Sequence, residues 1–343
     1  MKKIMGELAL IEQIRSGAGA PRNRKVALGI GDDCAILRLP KAHEIVVTTD
    51  FTLEGRHFHR DLHPPESVGH RALARGLSDI AAMGARPLAA FLSLALPADM
   101  LATRAGQRWV ESFFTGLRAL GKAHDVPLAG GDTAESPTGL VLADIVLIGS
   151  APTGRALRRS GGRAGDVLYV TGALGGSAAE LVDLQHRKPD HRPAPSTPGK
   201  PGTHPQMYPQ PRVEIGQALL RRHLATAAID LSDGLSTDLA HLCHESGVGA
   251  EIFEDTLPIH PLTTKSPRGR DDAIRLALHG GEDYELLFAA PASIKMPSTL
   301  AGVPITRIGR LVRGKSVSVL DASGRRRPLK PGGWEHFSAQ PKG

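Results

Sequence analysis

Seven aspartates stand beside apolar runs of this sequence, and their chemistry points toward cations and phosphates. Asp32 and Asp33 follow the run 26–30, Asp50 follows the β-branched run 45–49, and Asp132 lies in Leu-Ala-Gly-Gly-Asp-Thr at 128–133. Asp230 and Asp233 share Ile-Asp-Leu-Ser-Asp-Gly-Leu at 229–235, and Asp79 sits within a helical pattern. A carboxylate just past a buried strand is held at the sheet edge where open α/β sheets bind ligands. Carboxylate and hydroxyl oxygens are the ligands that hard cations such as Mg²⁺ prefer. Gathered in one place, so many carboxylates would repel one another unless cations stood between them. Each is also a common turn former or helix cap by itself; Asp233 precedes Gly234, and Asp79 lies one turn after Arg75. Scattered caps or a multi-metal pocket are the two arrangements this pattern predicts.

A pocket of several Mg²⁺ ions would take phosphates, because Mg²⁺ bridges protein carboxylates to phosphate oxygens. Gly29, Gly31, Gly130 and Gly131 would let backbone amides come close to such a ligand. Arg155, Arg158, Arg159 and Arg163 follow in one stretch, and one of them could neutralise phosphate charge. The common phosphate-binding designs are missing. The segment Gly116–Lys122 starts like a P-loop, but Ala123 stands where the Mg²⁺-binding hydroxyl belongs. Gly172–Gly176 lacks the dinucleotide spacing, and no kinase-type His-Arg-Asp loop occurs. His57, His59 and His63 have no zinc-protease pattern and read as an exposed loop.

The elements that must hold these residues alternate along the chain. Strands are expected at 26–30, 45–49, 89–95, 128–129 and 140–150, with helices at 66–83 and 103–124. After Pro152 the pattern restarts, with strands at 167–170, 227–229 and 284–289 and helices at 178–185 and 235–245. Mixed strands and helices in both halves argue for a two-domain α/β or α+β protein, divided as 1–152 and 153–343. With 343 residues the chain can bury two cores. Residues 186–207 are dense in Pro, His and Gly and read as a flexible insertion. No apolar run approaches the length of a membrane span. Glu7 and Glu12 interrupt the first apolar stretch, and two distant cysteines suit a reducing compartment, so a cytoplasmic protein is expected. The formal charge of +7 is matched by residues 307–330, where eight Arg and Lys face one Asp. With three Tyr, two Trp and eight Phe to stack bases, that stretch reads as a solvated face, and nucleic-acid binding is not expected.

Taken together and in order, the motifs GIGDDCA (29–35), TTDFTLEGRHF (48–58), LSDIAAMGA (77–85), GGDT (130–133), GRALRRSGGRAGD (154–166), IDLSDGL (229–235) and GGEDYEL (280–286) resemble the thiamine-monophosphate kinase family. That family falls within the wider aminoimidazole-ribonucleotide synthetase superfamily. The resemblance implies a homodimer in which N-terminal domains pair strands and a C-terminal domain closes each acidic ATP and Mg²⁺ cleft. The implied reaction passes the γ-phosphate of ATP directly to thiamine monophosphate, giving ADP and thiamine diphosphate. Carried onto this sequence, the Mg²⁺ ligands are Asp33, Thr48, Thr49, Asp50, Asp79, Asp132, Asp230 and Asp233. ATP meets Asp33, Gly131, Asp132, Arg159 and Ser232, and thiamine monophosphate meets His57, Glu282 and Trp334. Asp50, Asp132, Arg159 and Asp233 would carry the catalysis, with no dedicated general base, because a phosphate oxygen already ionises near neutrality. His124 stands where many relatives have a tyrosine near the adenine. The alternatives are another ATP-dependent member of the superfamily and a catalytically silent sensor of Mg²⁺ and nucleotide. A third, a nucleic-acid module on residues 307–330, would bind with steep salt dependence.

Overall fold

The computed structural model describes residues 6–18, 25–30, 34–186, 202–265 and 269–335. The chain divides into two compact units: Met1–Ile80 with Ala85–Ala156, and Leu157–Arg187 with Gly202–Gly343, the latter also taking Ala81–Gly84.

The first unit opens with helix α1 (Glu7–Gly17) and a short antiparallel pair, β1 (Val26–Leu28) and β2 (Ile36–Leu37). There follow β3 (His43–Leu53), α2 (Pro65–Ala82), β4 (Arg86–Leu96), α3 (Ala98–Ala102), α4 (Arg104–Ala123), β5 (Leu128–Glu135) and β6 (Leu142–Pro152). Four of these strands form one sheet in the order β3-β6-β4-β5, antiparallel except for the parallel pair β4 and β5. Leu73, Leu77 and Ile80 of α2, Phe113 and Leu117 of α4 and Ile145 and Leu147 of β6 are almost wholly buried. Because side chains alternate along a strand, the even residues of β3 share the face of Thr52, which is 1 % exposed, while Ile45, Val47 and Phe51 stand open on the other face at 57–60 % exposure.

Polar residues lengthen rather than end these strands. The expected strand at 128–129 runs on through Gly130, Gly131 and Asp132 to Glu135, and the strand at 45–49 continues past Asp50 to Leu53. Backbone hydrogen bonds carry a ladder whatever the side chain, and β3 and β5 are the two edges of their sheet, where polar side chains are tolerated. Asp50 and Asp132 are therefore strand residues rather than turn residues.

The second unit holds β7 (Val167–Thr171), α5 (Gly176–His186), α6 (Val213–Arg221), β8 (Ala227–Asp230), α7 (Leu235–Ser246), β9 (Gly249–Phe253), α8 (Gly269–His279) and β10 (Leu286–Ala290). It ends with β11 (Thr299–Leu300), β12 (Val303–Val312), β13 (Val317–Leu320) and β14 (Arg326–Pro328). Its sheet runs β14-β13-β9-β12-β7-β10-β8, with β11 paired to β12. A core of Leu168, Val170, Ile229, Leu239, Leu242, Ile252, Leu287 and Ile308 joins strands to α7. Of the Pro/His-rich stretch, residues 187–201 lie outside the described residues; Gln206 and Met207, at its end, are 1 % exposed and belong to the packed body of this unit. Of the basic residues at 307–330, Arg310 and Arg326 pair with Glu251, Arg327 pairs with Glu254, and Arg307 lies over the Phe253 ring at 6.0 Å. Among the described residues no helix is long and apolar enough to cross a membrane.

Candidate active site

In the first unit, Thr48 and Asp50 point toward α2. The Thr48 hydroxyl donates to the Asp79 carboxylate, and Arg75 donates to Asp50 Oδ1 from Nε at 3.1 Å and Nη2 at 3.0 Å. Thr49 points to the opposite face, so the side chains of Thr48, Thr49 and Asp50 do not converge on one point. On that open face one row crosses the sheet as Phe51, Asp144, Ser93 and Asp132, each opposite the next. Burial and the charge of Asp50 raise the Asp144 carboxyl above its usual range. Asp132 is exposed, and its Oδ1 accepts the Thr133 N–H at 2.9 Å. Gly131 beside it has φ +148°, and a Cβ there would lie 1.9 Å from the Leu92 carbonyl oxygen, so only glycine fits. Asp33 lies outside the described residues.

A cavity of about 890 Å³ in the same unit ends at Gly130, Gly131 and Asp132. Its apolar part is walled by Ile11 and Ile14 of α1 and by Phe91 and Phe114. That volume and a largely apolar lining with a few polar groups suit a nucleotide-sized ligand. His124, at the C-terminus of α4, is not among the lining residues; Phe91 and Phe114 supply the aromatic surface.

The loop after β3 places His57. Its Nδ1 accepts the Leu53 N–H at 3.0 Å, so the ring proton sits on Nε2. The buried Arg71 donates from Nη2 to the His57 carbonyl at 2.8 Å. His63, expected in an exposed loop, is 2 % exposed: its Nδ1 accepts the His59 N–H at 3.2 Å.

In the second unit, backbone hydrogen bonds draw the predicted residues together at the end of β8. Asp230 ends that strand and is 3 % exposed. The loop that follows is zipped to the loop before β10: Leu231 N–H donates to Glu285 O at 2.8 Å, Tyr284 N–H to Leu231 O at 2.9 Å, and Glu282 N–H to Ser232 O at 2.7 Å. The Trp334 N–H donates to Asp233 O at 3.0 Å, bringing a half-exposed indole to the same place. Ser232, Asp233, Glu282 and Trp334 thus share one end of the unit. Glu282 takes a left-handed backbone at φ +65°, the kind of strain kept where surroundings dictate it.

Two carboxylates that sequence reading passed over, the buried Asp238 and the half-buried Asp283, hold these loops. Asp238 of α7 accepts the Asp233 and Gly234 N–H groups at 3.1 and 3.0 Å. Burial, reinforced by Asp230 and Asp233, pushes its carboxyl up to about 8. Asp283 accepts the Gly175 and Ser177 N–H groups at 2.6 and 3.2 Å, capping α5, and burial raises it to about 7. The available signals were an Asp one turn into a helix after Asp-Gly, and an Asp beside Glu282 inside Gly-Gly-Glu-Asp-Tyr-Glu. Arg159 lies elsewhere in this unit, exposed on a 3-10 turn, Arg159–Gly161, whose neighbour Arg158 O accepts the Ala228 N–H at 3.1 Å.

These donors are hard oxygens, a set that fits Mg²⁺. Among the described residues no three His, Cys, Asp or Glu side chains form a ready metal cage. Mg²⁺ is usually held by one or two carboxylates together with waters and substrate phosphates.

Residues 31–151 match the family model of the AIR synthase related protein N-terminal domain, and 163–321 that of its C-terminal domain. The chain is 40 % identical to thiamine-monophosphate kinase of Salmonella typhimurium over 312 residues, covering 89 % of this chain and 90 % of that one. It belongs to the thiamine-monophosphate kinase family. The crystal structure of the Stenotrophomonas maltophilia thiamine-monophosphate kinase is similar at a TM-score of 0.78 and 36 % identity, over 92 % of this chain and 96 % of that one. AaThiL complexed with AMPPCP and TMP is similar at a TM-score of 0.73 and 29 % identity, with 97 % of each chain covered.

Proposed function

We propose that this protein is a thiamine-monophosphate kinase, passing the γ-phosphate of ATP to thiamine monophosphate to give ADP and thiamine diphosphate. The observation that carries the reading is the convergence of Ser232, Asp233, Glu282 and Trp334 at the end of β8, in a chain of this family. A relative complexed with AMPPCP and TMP supports both substrates.

ATP lies with its base in the cavity lined by Phe91 and Phe114 and its phosphates toward Gly131 and Asp132, with Arg159 and Ser232 as further contacts. Asp33, Thr48, Thr49, Asp50, Asp79, Asp132, Asp230 and Asp233 would hold Mg²⁺ through their oxygens. Mg²⁺ bound there would supply the positive charge that offsets the repulsion between two phosphorylated substrates. Arg75 fixes Asp50, and Asp238 fixes the Asp233 backbone, so these ligands are held before substrate arrives. His57 presents its Nε2–H, Glu282 its carboxylate and Trp334 its ring face to the acceptor. An indole over the thiazolium contributes about 0.5–2 kcal/mol by cation–π attraction. The acceptor phosphate is ionised near pH 7, so no side chain need take its proton. The open apolar face of β3 supports a homodimer, and two free cysteines support a reducing, cytoplasmic setting. The superfamily alternative and the silent sensor are less favoured, since the curated relatives that cover most of this chain are thiamine-monophosphate kinases.

Steady-state ADP release with both substrates tests the roles. Asp132→Asn and Asp233→Asn should each lower kcat on the order of a hundredfold or more while the protein stays folded. Near-wild-type turnover in both variants would refute the placement of the phosphates.

A further inference from the structure

Gln206 closes the Pro/His-rich stretch, for which the sequence offers no role, yet it is 1 % exposed and joins a chain of hydrogen bonds leading to the acceptor site. Its N–H donates to Glu180 Oε2 at 2.8 Å, and Glu180 Oε1 meets His204 Nδ1 at 2.7 Å. The buried Ser177 hydroxyl donates to Gln206 Oε1. Gln206 Nε2 then donates to Glu282 Oε2 at 3.1 Å. The amide is oriented by its neighbours: an ionised carboxylate only accepts, so turning the amide over would set its oxygen against those of Glu282. Glu180 and Ser177 are both on α5, so the chain is anchored on a packed helix. Glu282 is held from behind as well, by its own N–H on Ser232 O.

We propose that Gln206 is a positioning residue of the acceptor site, its amide N–H aiming the Glu282 carboxylate at the cationic heterocycle of the phosphorylated acceptor. The end of the Pro/His-rich stretch thereby becomes part of the substrate machinery. This rests on the reading of Glu282 as an acceptor contact.

Steady-state kinetics of the full-length protein with Mg·ATP and thiamine monophosphate, alongside thermal melts, test it. Gln206→Met keeps the length and removes both polar groups; Gln206→Asn keeps the amide and shortens its reach. Both should fold, Gln206→Met melting lower because the buried Ser177 hydroxyl loses its acceptor, and both should raise KM for thiamine monophosphate about tenfold, the scale of one hydrogen bond to a charged group. KM for ATP should stay within about twofold, since the lost bond touches the acceptor side alone. Glu282→Gln should raise the same KM, and adding Gln206→Met to it should raise it no further. A raised KM in Glu282→Gln with none in either Gln206 variant overturns the proposal and leaves the acceptor reading standing. No change in Glu282→Gln overturns both. A rise in both KM values, or a failure of both Gln206 variants to fold, assigns Gln206 to packing and overturns the proposal.

Discussion

Asp238 concentrates the electrostatic conflict of this site in one side chain. It is 2 % exposed, faces Asp230 and Asp233, and its carboxyl is pushed up to about 8. An unfolded Asp ionises near 3.9. Between those values the folded protein holds a proton that the unfolded chain has lost, so the contribution to stability is full below about pH 4 and is lost as pH rises through about 8. In EDTA, wild-type stability from urea melts should therefore carry a downward component of about 1.4 kcal/mol per pH unit between pH 5 and 7.5. Asp238→Asn keeps the shape without the titration and should remove that component. Parallel pH profiles for the two proteins would contradict it. Arg75 and Asp50 illustrate what was hidden at this scale: helical spacing relates Arg75 to Asp79, but no local pattern announces that the guanidinium reaches Asp50, 25 residues away on β3. Gln206 and Glu282 are 76 residues apart, a pairing that no local pattern announces.

The elements explain why some carboxylates were easy to find and others were not. Asp230 was legible because β8 does end there. Asp50 and Asp132 were legible as chemistry but misplaced as turn residues, since an edge strand carries its ladder through polar side chains. Asp144 went unnoticed in an apolar strand, although a charge at an alternating position of Leu-Ala-Asp-Ile-Val is itself a mark of an open sheet face. The strands β2, β9, β11, β12, β13 and β14 and the helices α1, α3, α6 and α8 were not anticipated. β12, for example, interleaves Arg, Pro and Gly with its apolar residues and is made a strand by its neighbours on both sides. β5 yields a sharp prediction. In Gly131→Ala the new methyl would meet Leu92 O at 1.9 Å, and the backbone could not keep φ +148° without strain. The variant should lose about 1–3 kcal/mol of stability or more. It should also bind Mg·ATP more weakly, as read by calorimetry. Unchanged melting and affinity would show that the chain does not pass so close to β4.

Across the whole molecule, the two-domain α/β reading stands. The local basic excess of residues 307–330 is partly offset by Glu251 and Glu254, which face Arg310, Arg326 and Arg327. What the first unit leaves uncovered is the face of β3 bearing Ile45, Val47 and Phe51. If two copies meet there, sedimentation should give twice 36.3 kDa, and Val47→Glu should shift it to a single chain. A wild-type monomer at micromolar concentration would contradict that assembly. Transfer of the γ-phosphate is read by following the label from γ-³²P-ATP in Mg²⁺ with thiamine monophosphate or unphosphorylated thiamine as acceptor. Label should appear in thiamine diphosphate, one per ADP formed, with the monophosphate alone, and should vanish with EDTA or with Asp50→Asn. Labelled inorganic phosphate without thiamine diphosphate, or product from thiamine itself, would contradict it.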